Sequence, residues 1–201
     1  MTSTMRDAAN PLQGLKQAEK AAGARGLPPV HLWNPPFCGD IDMRIAADGT
    51  WFYMNSPIGR KPLVKLFASV MRHDEDGRYY LVTPAEKCRI TIEDAPFVAI
   101  RMATQGEGRG QVITFETNTD DVVTVDDAHP IRVANERGTG GLKPYVLVRA
   151  RLEALVSRAL FYDLVERGMV EDCDGERWFG VWSSGRFWPM QREAEISFDS
   201  G

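Results

Sequence analysis

A helix followed by a hairpin occurs twice in this chain, and that recurrence constrains its fold more than any single motif. In the first copy Arg60-Lys61-Pro62 opens a segment whose apolar positions Leu63, Leu66, Phe67, Val70 and Met71 fall on one helical face, with proline at a favoured first-turn position. The spacing predicts that this helix runs on to His73-Asp74-Glu75-Asp76-Gly77, with strands at Tyr79 to Thr83 and Cys88 to Glu93 beyond it. In the second copy a strand at Tyr145 to Arg149 precedes a longer helix bearing Leu152, Leu155, Val156, Ala159, Leu160 and Leu164. Asp174-Gly175 and strands at Trp178 to Trp182 and Phe187 to Met190 follow. Setting Leu66-Phe67 on Leu160-Phe161 gives an offset of 94, whereas setting Asp76-Gly77 on Asp174-Gly175 gives 98. The difference is about one helical turn, so an inserted turn in the second helix would keep its apolar face in phase. The pattern is that of an internal duplication, or of a strand–helix–hairpin unit used twice.

Around the two copies the chain divides further. Asn10 and Pro11, with Leu12, Leu15, Ala18 and Ala22 behind them, predict a short amphipathic helix, and the prolines from Pro28 to Pro36 an extended arm. Ile41, Met43 and Ile45 alternate with Asp42 and Arg44, and Asp48-Gly49 supplies positive-φ residues for a hairpin into Trp51-Phe52-Tyr53. Strand candidates Val98 to Met102, Gln111 to Glu116, Val122 to Val125 and Ile131 to Val133 fill the middle. The expected architecture is α+β, with two similar strand-helix-hairpin domains packed together, the C-terminal one an antiparallel sheet or barrel with one long helix. The expected boundaries are a helix and arm over 1–36, an α+β domain over 37–96, a β-rich domain over 97–192 and a tail over 193–201.

Composition narrows the function classes. The 201 residues are 43% hydrophobic and carry a net charge of −4, so a core is available and no overall field attracts a nucleic acid polymer. Charge divides unevenly, net +3 over residues 1–90 and net −7 over 91–201, which favours docking of the two halves. The longest apolar runs, such as Tyr145 to Val148, are far short of the roughly 20 residues that span a bilayer. No secretory signal is legible at Met1 to Asn10, and Cys38, Cys88 and Cys173 are odd in number and scattered, which suggests a cytoplasmic protein without disulfides.

Most chemical motifs fail on their flanks. Gly106-Glu107-Gly108-Arg109-Gly110 and Gly138-Thr139-Gly140-Gly141-Leu142-Lys143 are each followed by a strand, so no helix N-terminus stands ready for phosphate. Asp172-Cys173-Asp174-Gly175 starts like a calcium loop, but Trp178 and Phe179 occupy positions where oxygen ligands are needed. His31, His73 and His129 are isolated, so no metal or cofactor is implied. Ser183-Ser184-Gly185 lacks both the preceding glycine and the following helix of a nucleophile elbow. No catalytic set is readable, and an enzyme is the least favoured class.

One constellation remains. Basic residues gather where each strand enters its helix: Arg60 and Lys61, then Lys65, in the first copy, and Arg149 and Arg151, then Arg158, in the second. Helix N-termini favour anions already, so these cations do not serve the helix dipole. Lining a shared cleft with Arg44 and Lys87, they would hold an anion by charge-assisted hydrogen bonds; as solvated edges they would pair with the surplus of carboxylates. Trp51, Tyr53, Tyr162, Trp178 and Trp182 offer rings for stacking on a base, or core.

Cys38-Gly39-Asp40-Ile41-Asp42-Met43-Arg44-Ile45, Asp48-Gly49-Thr50-Trp51 to Pro57-Ile58, and Arg60 with Leu63-Val64 and Leu66-Phe67 resemble a bacterial family catalogued as domain of unknown function 1285. So do Leu81-Val82-Thr83-Pro84-Ala85-Glu86-Lys87, Glu93-Asp94-Ala95-Pro96-Phe97, Thr117-Asn118 and Gly180-Val181-Trp182-Ser183-Ser184-Gly185. The resemblance covers about residues 30 to 190. It implies a duplicated core, a C-terminal domain similar to pleckstrin-homology folds, and a nucleotide-like ligand between domains in signalling. Carried over by resemblance, the site residues are Arg44, Arg60, Thr83, Glu86, Lys87 and Arg149. Two expectations follow: a non-enzymatic sensor of a small anionic, nucleotide-like ligand that signals to a protein partner, or a structural module that dimerises through strand edges with its arm, Pro28 to Pro36, on a neighbour.

Overall fold

The computed structural model describes residues 26–136, 138 and 141–196, and the chain divides into two compact units, Met1–Glu93 and Asp94–Gly201. The helix expected near residues 10–22 lies outside the described residues.

In the first unit, strands β1 (Phe37–Ile45), β2 (Trp51–Tyr53) and β3 (Ser56–Pro57) form a meander. Helix α1 (Lys61–Ser69) follows, and β4 (Met71–His73), β5 (Tyr79–Val82) and β6 (Lys87–Ile92) form a second meander. The six strands make one sheet in the order β3-β2-β1-β6-β5-β4, antiparallel except for the central β1–β6 pair. A parallel pair cannot be joined by a tight turn, and here the whole of β2 to β5 serves as the crossover. Trp51, 1% exposed, stacks on Phe67 with ring centroids 6.1 Å apart, which fixes α1 to the sheet. The turn into β2 uses one left-handed residue, not two: Gly49 has φ 84°, while the Asp48 carboxylate accepts the Thr50 N–H at 2.8 Å.

The arm residues described sit on their own unit. Arg72 on β4 donates to the carbonyls of Val30 and Trp33, at 2.9 and 2.7 Å, and the Pro36 carbonyl accepts the Lys87 N–H. Three carbonyls of the arm therefore have donors within its own unit.

In the second unit, β7 (Phe97–Gln105), β8 (Val112–Thr117), β9 (Val122–Thr124), β10 (Ile131–Asn135), β11 (Leu142–Arg149) and β12 (Leu152–Val156) form a sheet ordered β10-β11-β12-β7-β8-β9. Its central pair, β12–β7, is again parallel, so the sheet is mixed and not antiparallel throughout as expected. Helix α2 (Arg158–Glu166) follows, then a three-stranded antiparallel sheet of β13 (Met169–Cys173), β14 (Glu176–Ser183) and β15 (Arg186–Arg192). Strand period decides the sheet's core: in β8, Ile113, Phe115 and Thr117 are buried while their neighbours are half-buried. Gly180 sits at a register shift between β14 and β15, where a Cβ would lie 2.2 Å from the Trp188 carbonyl oxygen.

The duplication is visible as element order: three strands, a nine-residue helix and three strands occur as β1–β6 with α1 and as β10–β15 with α2. β15 lies beside β10, as β6 lies beside β1. The helices begin at Lys61 and Arg158, an offset of 97, so no turn is inserted and the second helix is no longer than the first. Sliding an apolar stripe by three or four residues lays it back on itself, which is the source of the spurious offset. The mainly β architecture brings two further corrections. Leu152, Leu155 and Val156 are strand, with Leu152, Ala154 and Val156 buried at period two. Met71–His73, expected as the end of a helix, is β4.

Candidate functional site

The expected site residues of the first unit are mostly engaged. Arg44 on β1 is ion-paired with Glu93 and lies over the Phe52 ring, while the other Glu93 oxygen accepts the Ala47 N–H at 3.0 Å. Lys87 on β6 donates to Asp74 at 3.0 Å and lies over Tyr80, and Arg72 chelates the same carboxylate. Burial alone would raise the Asp74 pKa, but the hydrogen bonds from Arg72 and Lys87 outweigh it and hold it below the ordinary aspartate value. Thr83 is 4% exposed, and its hydroxyl oxygen accepts the N–H groups of Ala85 and Glu86 at 3.3 and 3.2 Å. That explains Thr83-Pro84-Ala85-Glu86 as a turn closed by its own threonine. The Glu86 carbonyl accepts the Thr83 N–H at 2.9 Å.

Arg44 and Lys87 are not brought together. Arg44 pairs opposite Thr91 and Lys87 opposite Phe37, so four residues of β6, about 13 Å, separate them along the sheet. Arg60, just before α1, and Lys61, its first residue, are exposed.

In the second unit Arg149, at the end of β11, forms an ion pair with Asp121 and stacks over Phe97 at 4.7 Å. Asp121 is itself fixed by the Thr119 hydroxyl at 2.7 Å. Arg149 therefore pins the Thr117-to-Asp121 turn to the sheet. Arg151 is exposed in the tight turn before β12.

A groove of about 360 Å³ opens beside the start of α2, lined by the Glu136 and Gly141–Pro144 end of the β10–β11 hairpin, by Leu155 and Val156, and by Arg158, Phe161 and Tyr162. Its floor is apolar, because β12 ends there and α2 turns Phe161 toward it. One rim carries Lys143, whose ammonium donates to Asp94 at 2.9 Å and to Glu136 at 3.2 Å; both bonds raise its pKa. Asp94 also accepts the Tyr145 hydroxyl at 2.7 Å, and burial first, then this bond, pushes the Tyr145 pKa up to about 12. The other rim carries Arg158, whose Nε donates to the Tyr162 hydroxyl one turn on at 3.1 Å. Among the described residues this is the one hydrogen bond of a group with five N–H donors. Tyr162 is 55% exposed. The groove thus joins a cation with spare donors, a half-exposed ring with that cation 6.0 Å from its centroid, and apolar side chains.

Sequence reasoning singles out Arg158 and Tyr162 separately but not the groove. Leu142 and Lys143 fall in a glycine-rich segment whose flanks do not suit phosphate, and the spacing of Leu155 fits a helix core equally well. Ser183, which lacks the flanks of a nucleophile, joins elements instead, since its hydroxyl donates to the Val125 carbonyl at 2.7 Å and accepts the Ile113 N–H at 3.0 Å. Among the described residues no group of three or more His, Cys, Asp or Glu is placed to hold a metal ion, and no helix is long and apolar enough to cross a membrane.

Fold and groove together define a duplicated, mainly β protein with a small amphipathic depression in its second half. The sequence matches the family described as "Domain of unknown function (DUF1285), N-terminal domain" over residues 28–95, and "Protein of unknown function (DUF1285), C-terminal domain" over residues 96–190. The chain belongs to the DUF1285 family. It is similar to the crystal structure of a DUF1285 family protein from Silicibacter pomeroyi DSS-3, at 50% identity and TM-score 0.81, over 90% of this chain and 96% of that one. A DUF1285 family protein from Shewanella baltica OS155 is 23% identical with TM-score 0.49, over 63% of this chain and 92% of that one. No curated protein matches the sequence.

Proposed function

We infer that this protein is a non-enzymatic sensor that binds a small organic anion with a planar portion, nucleotide-like in that sense, and that a protein partner reads the bound state. The observation that carries this reading is the α2 groove, where Arg158 keeps most of its donors and lies over the ring of the 55% exposed Tyr162. Its volume of about 360 Å³ is that of a small-ligand pocket. Arg44, Lys87 and Arg149 have their charge answered by carboxylates, which makes them supports of the fold in this reading. Arg60 and Lys61 offer a second cationic position on the first unit. The pleckstrin-homology likeness implied by the family belongs to the same proposal; the helix after six strands supports it, and the parallel β7–β12 pair weighs against it.

Thermal-shift measurements against nucleotides, dinucleotide messengers and small organic anions test the proposal. A ligand at 100-fold excess over its Kd stabilises the native state by about 2.7 kcal/mol, and the shift is lost in Arg158→Ala. No shift with any member, or a shift that survives both Arg158→Ala and Arg60→Ala, defeats it.

A second reading, an interaction module, is favoured by the outward side of α2, where Tyr162 and Val165 are 55% and 37% exposed. Sedimentation equilibrium separates it: a dimer dissociated by Tyr162→Ala and indifferent to anions supports the module.

A further inference from the structure

We propose that the α2 groove selects a singly charged carboxylate on a flat apolar body and rejects polyphosphates. The inference rests on the reading that this chain binds a small organic anion, and it narrows the class.

Charge comes first. Among the described residues two cations border the groove, but Lys143 is held by both Asp94 and Glu136, and releasing it would leave two carboxylates without their shared donor. Arg158 is the one of the two with donors to spare: its single hydrogen bond among the described residues goes to the neutral Tyr162 hydroxyl, its guanidinium lies 6.0 Å from the Tyr162 ring centroid, and Glu136 acts on it only through longer-range charge attraction. Exchanging a phenol acceptor for a carboxylate replaces one ion–dipole hydrogen bond by a bidentate pair between opposite charges. One guanidinium matches one carboxylate. A di- or triphosphate would bring several negative charges to that single partner and set the remainder against Glu136, which faces the same groove.

The remaining lining decides the body of the ligand. Leu142, Pro144, Leu155 and Phe161 offer no side-chain hydrogen bond to a sugar or phosphate, whereas burial of a flat hydrocarbon against them is favourable. Tyr162 is 55% exposed with the Arg158 guanidinium 6.0 Å from its ring centroid, so a carboxylate that draws Arg158 onto itself opens the ring to a planar body as an offset-stacked partner. When the carboxylate draws Arg158 away, the Tyr162 hydroxyl is left to solvent at an exposed position, and its ring is free to close on the ligand.

Isothermal titration of the full chain with 1-naphthoate, its neutral analogue 1-naphthylmethanol, AMP and ATP tests this. Naphthoate is expected to bind at least tenfold more tightly than any of the other three. Arg158→Ala weakens it tenfold or more, Arg158→Lys restores part of the loss, and Tyr162→Phe binds as well as or better than wild type because Arg158 is released. Arg158 is exposed, so both of its variants are expected to melt with the wild type. If AMP or ATP binds more tightly than naphthoate and depends on Arg158, the narrowing is overturned while the anion reading stands. If naphthoate binding is unchanged in Arg158→Ala, the assigned site is overturned. Absence of binding by all four probes removes this inference, and silence of the wider anion panel removes the reading beneath it.

Discussion

Replacing Ser183 by alanine is expected to loosen the second unit by about 2 kcal/mol. Ser183 is 0% exposed at the end of β14, where it joins the three-stranded sheet to the six-stranded one: it donates to the Val125 carbonyl and accepts from the Ile113 N–H. The substitution leaves the Ile113 N–H buried without an acceptor, a loss of about 1–3 kcal/mol. The Val125 carbonyl keeps a donor, since the Ser184 hydroxyl reaches it at 2.9 Å, so the single variant orphans one group and not two. Ser184 is exposed, and Ser184→Ala alone should cost under about 1 kcal/mol. In the double variant Val125 loses both donors, and the cost should exceed the sum of the singles by about 1 kcal/mol or more. For a unit of about a hundred residues, 2 kcal/mol lowers Tm by roughly 8 °C. Urea unfolding followed by circular dichroism, with calorimetry on the four proteins of the cycle, measures these differences. A Ser183→Ala variant within about 0.5 kcal/mol of wild type, or strict additivity in the double variant, would show that the two hydroxyls do not share Val125 as described.

Asp74→Asn should destabilise the first unit by about 2 kcal/mol, because Arg72 and Lys87 lose their shared carboxylate in a site about one-fifth exposed, and limited proteolysis should then cut sooner near Val30 to Trp33. The Asp74 pKa is depressed in the fold, so its contribution is present above the unfolded value and is lost as pH falls through the folded one; acid titration of wild type against the variant below pH ~4 should show the difference. Tyr145 behaves oppositely: its pKa is raised to about 12, so from about pH 10 the unfolded state ionises first and stability falls with rising pH until the folded group titrates. Tyr145→Phe should flatten the alkaline stability curve between those limits. Cys88 is buried, and burial first, then the Glu86 charge, pushes its thiol pKa up to about 11. Iodoacetamide at about pH 8 followed by mass spectrometry should therefore label exposed Cys38 well before Cys88, and label Cys88 only on unfolding.

Local patterns carry the fold where one period is unambiguous. Met43 and Ile45 alternate cleanly into the core of β1, and Asp174-Gly175 takes the two positive φ angles, 56° and 84°, of a tight hairpin. They fail where two periods fit the same letters. Leu152-Glu153-Ala154-Leu155-Val156 satisfies i, i+3, i+4 as well as i, i+2, i+4, and pairing with β11 and β7 chooses the strand. β13 escapes sequence reading because Met169–Cys173 is half-buried nearly throughout and shows no alternation. The candidate site is legible only in fragments. Arg158 and Tyr162 lie one turn apart on a helix, so their pairing is local; Arg149 with Asp121 and Arg72 with the Val30 carbonyl join residues far apart in the chain, and no sequence spacing announces them. For that reason basic residues that look alike in sequence separate into fold supports such as Arg44, Lys87 and Arg149, and cations such as Arg158 with donors to spare.

Whether a small organic anion binds beside α2 of the second unit is read out residue by residue when amide chemical shifts of the full chain are mapped during titration with 1-naphthoate. Saturable shifts concentrated at Leu142, Lys143, Val156 and Arg158 to Tyr162, and absent in Arg158→Ala, are expected. Shifts centred on Arg60, Lys61 and Thr83 to Lys87, or shifts at α2 that persist without the Arg158 guanidinium, would place the anion elsewhere and remove the groove from the site.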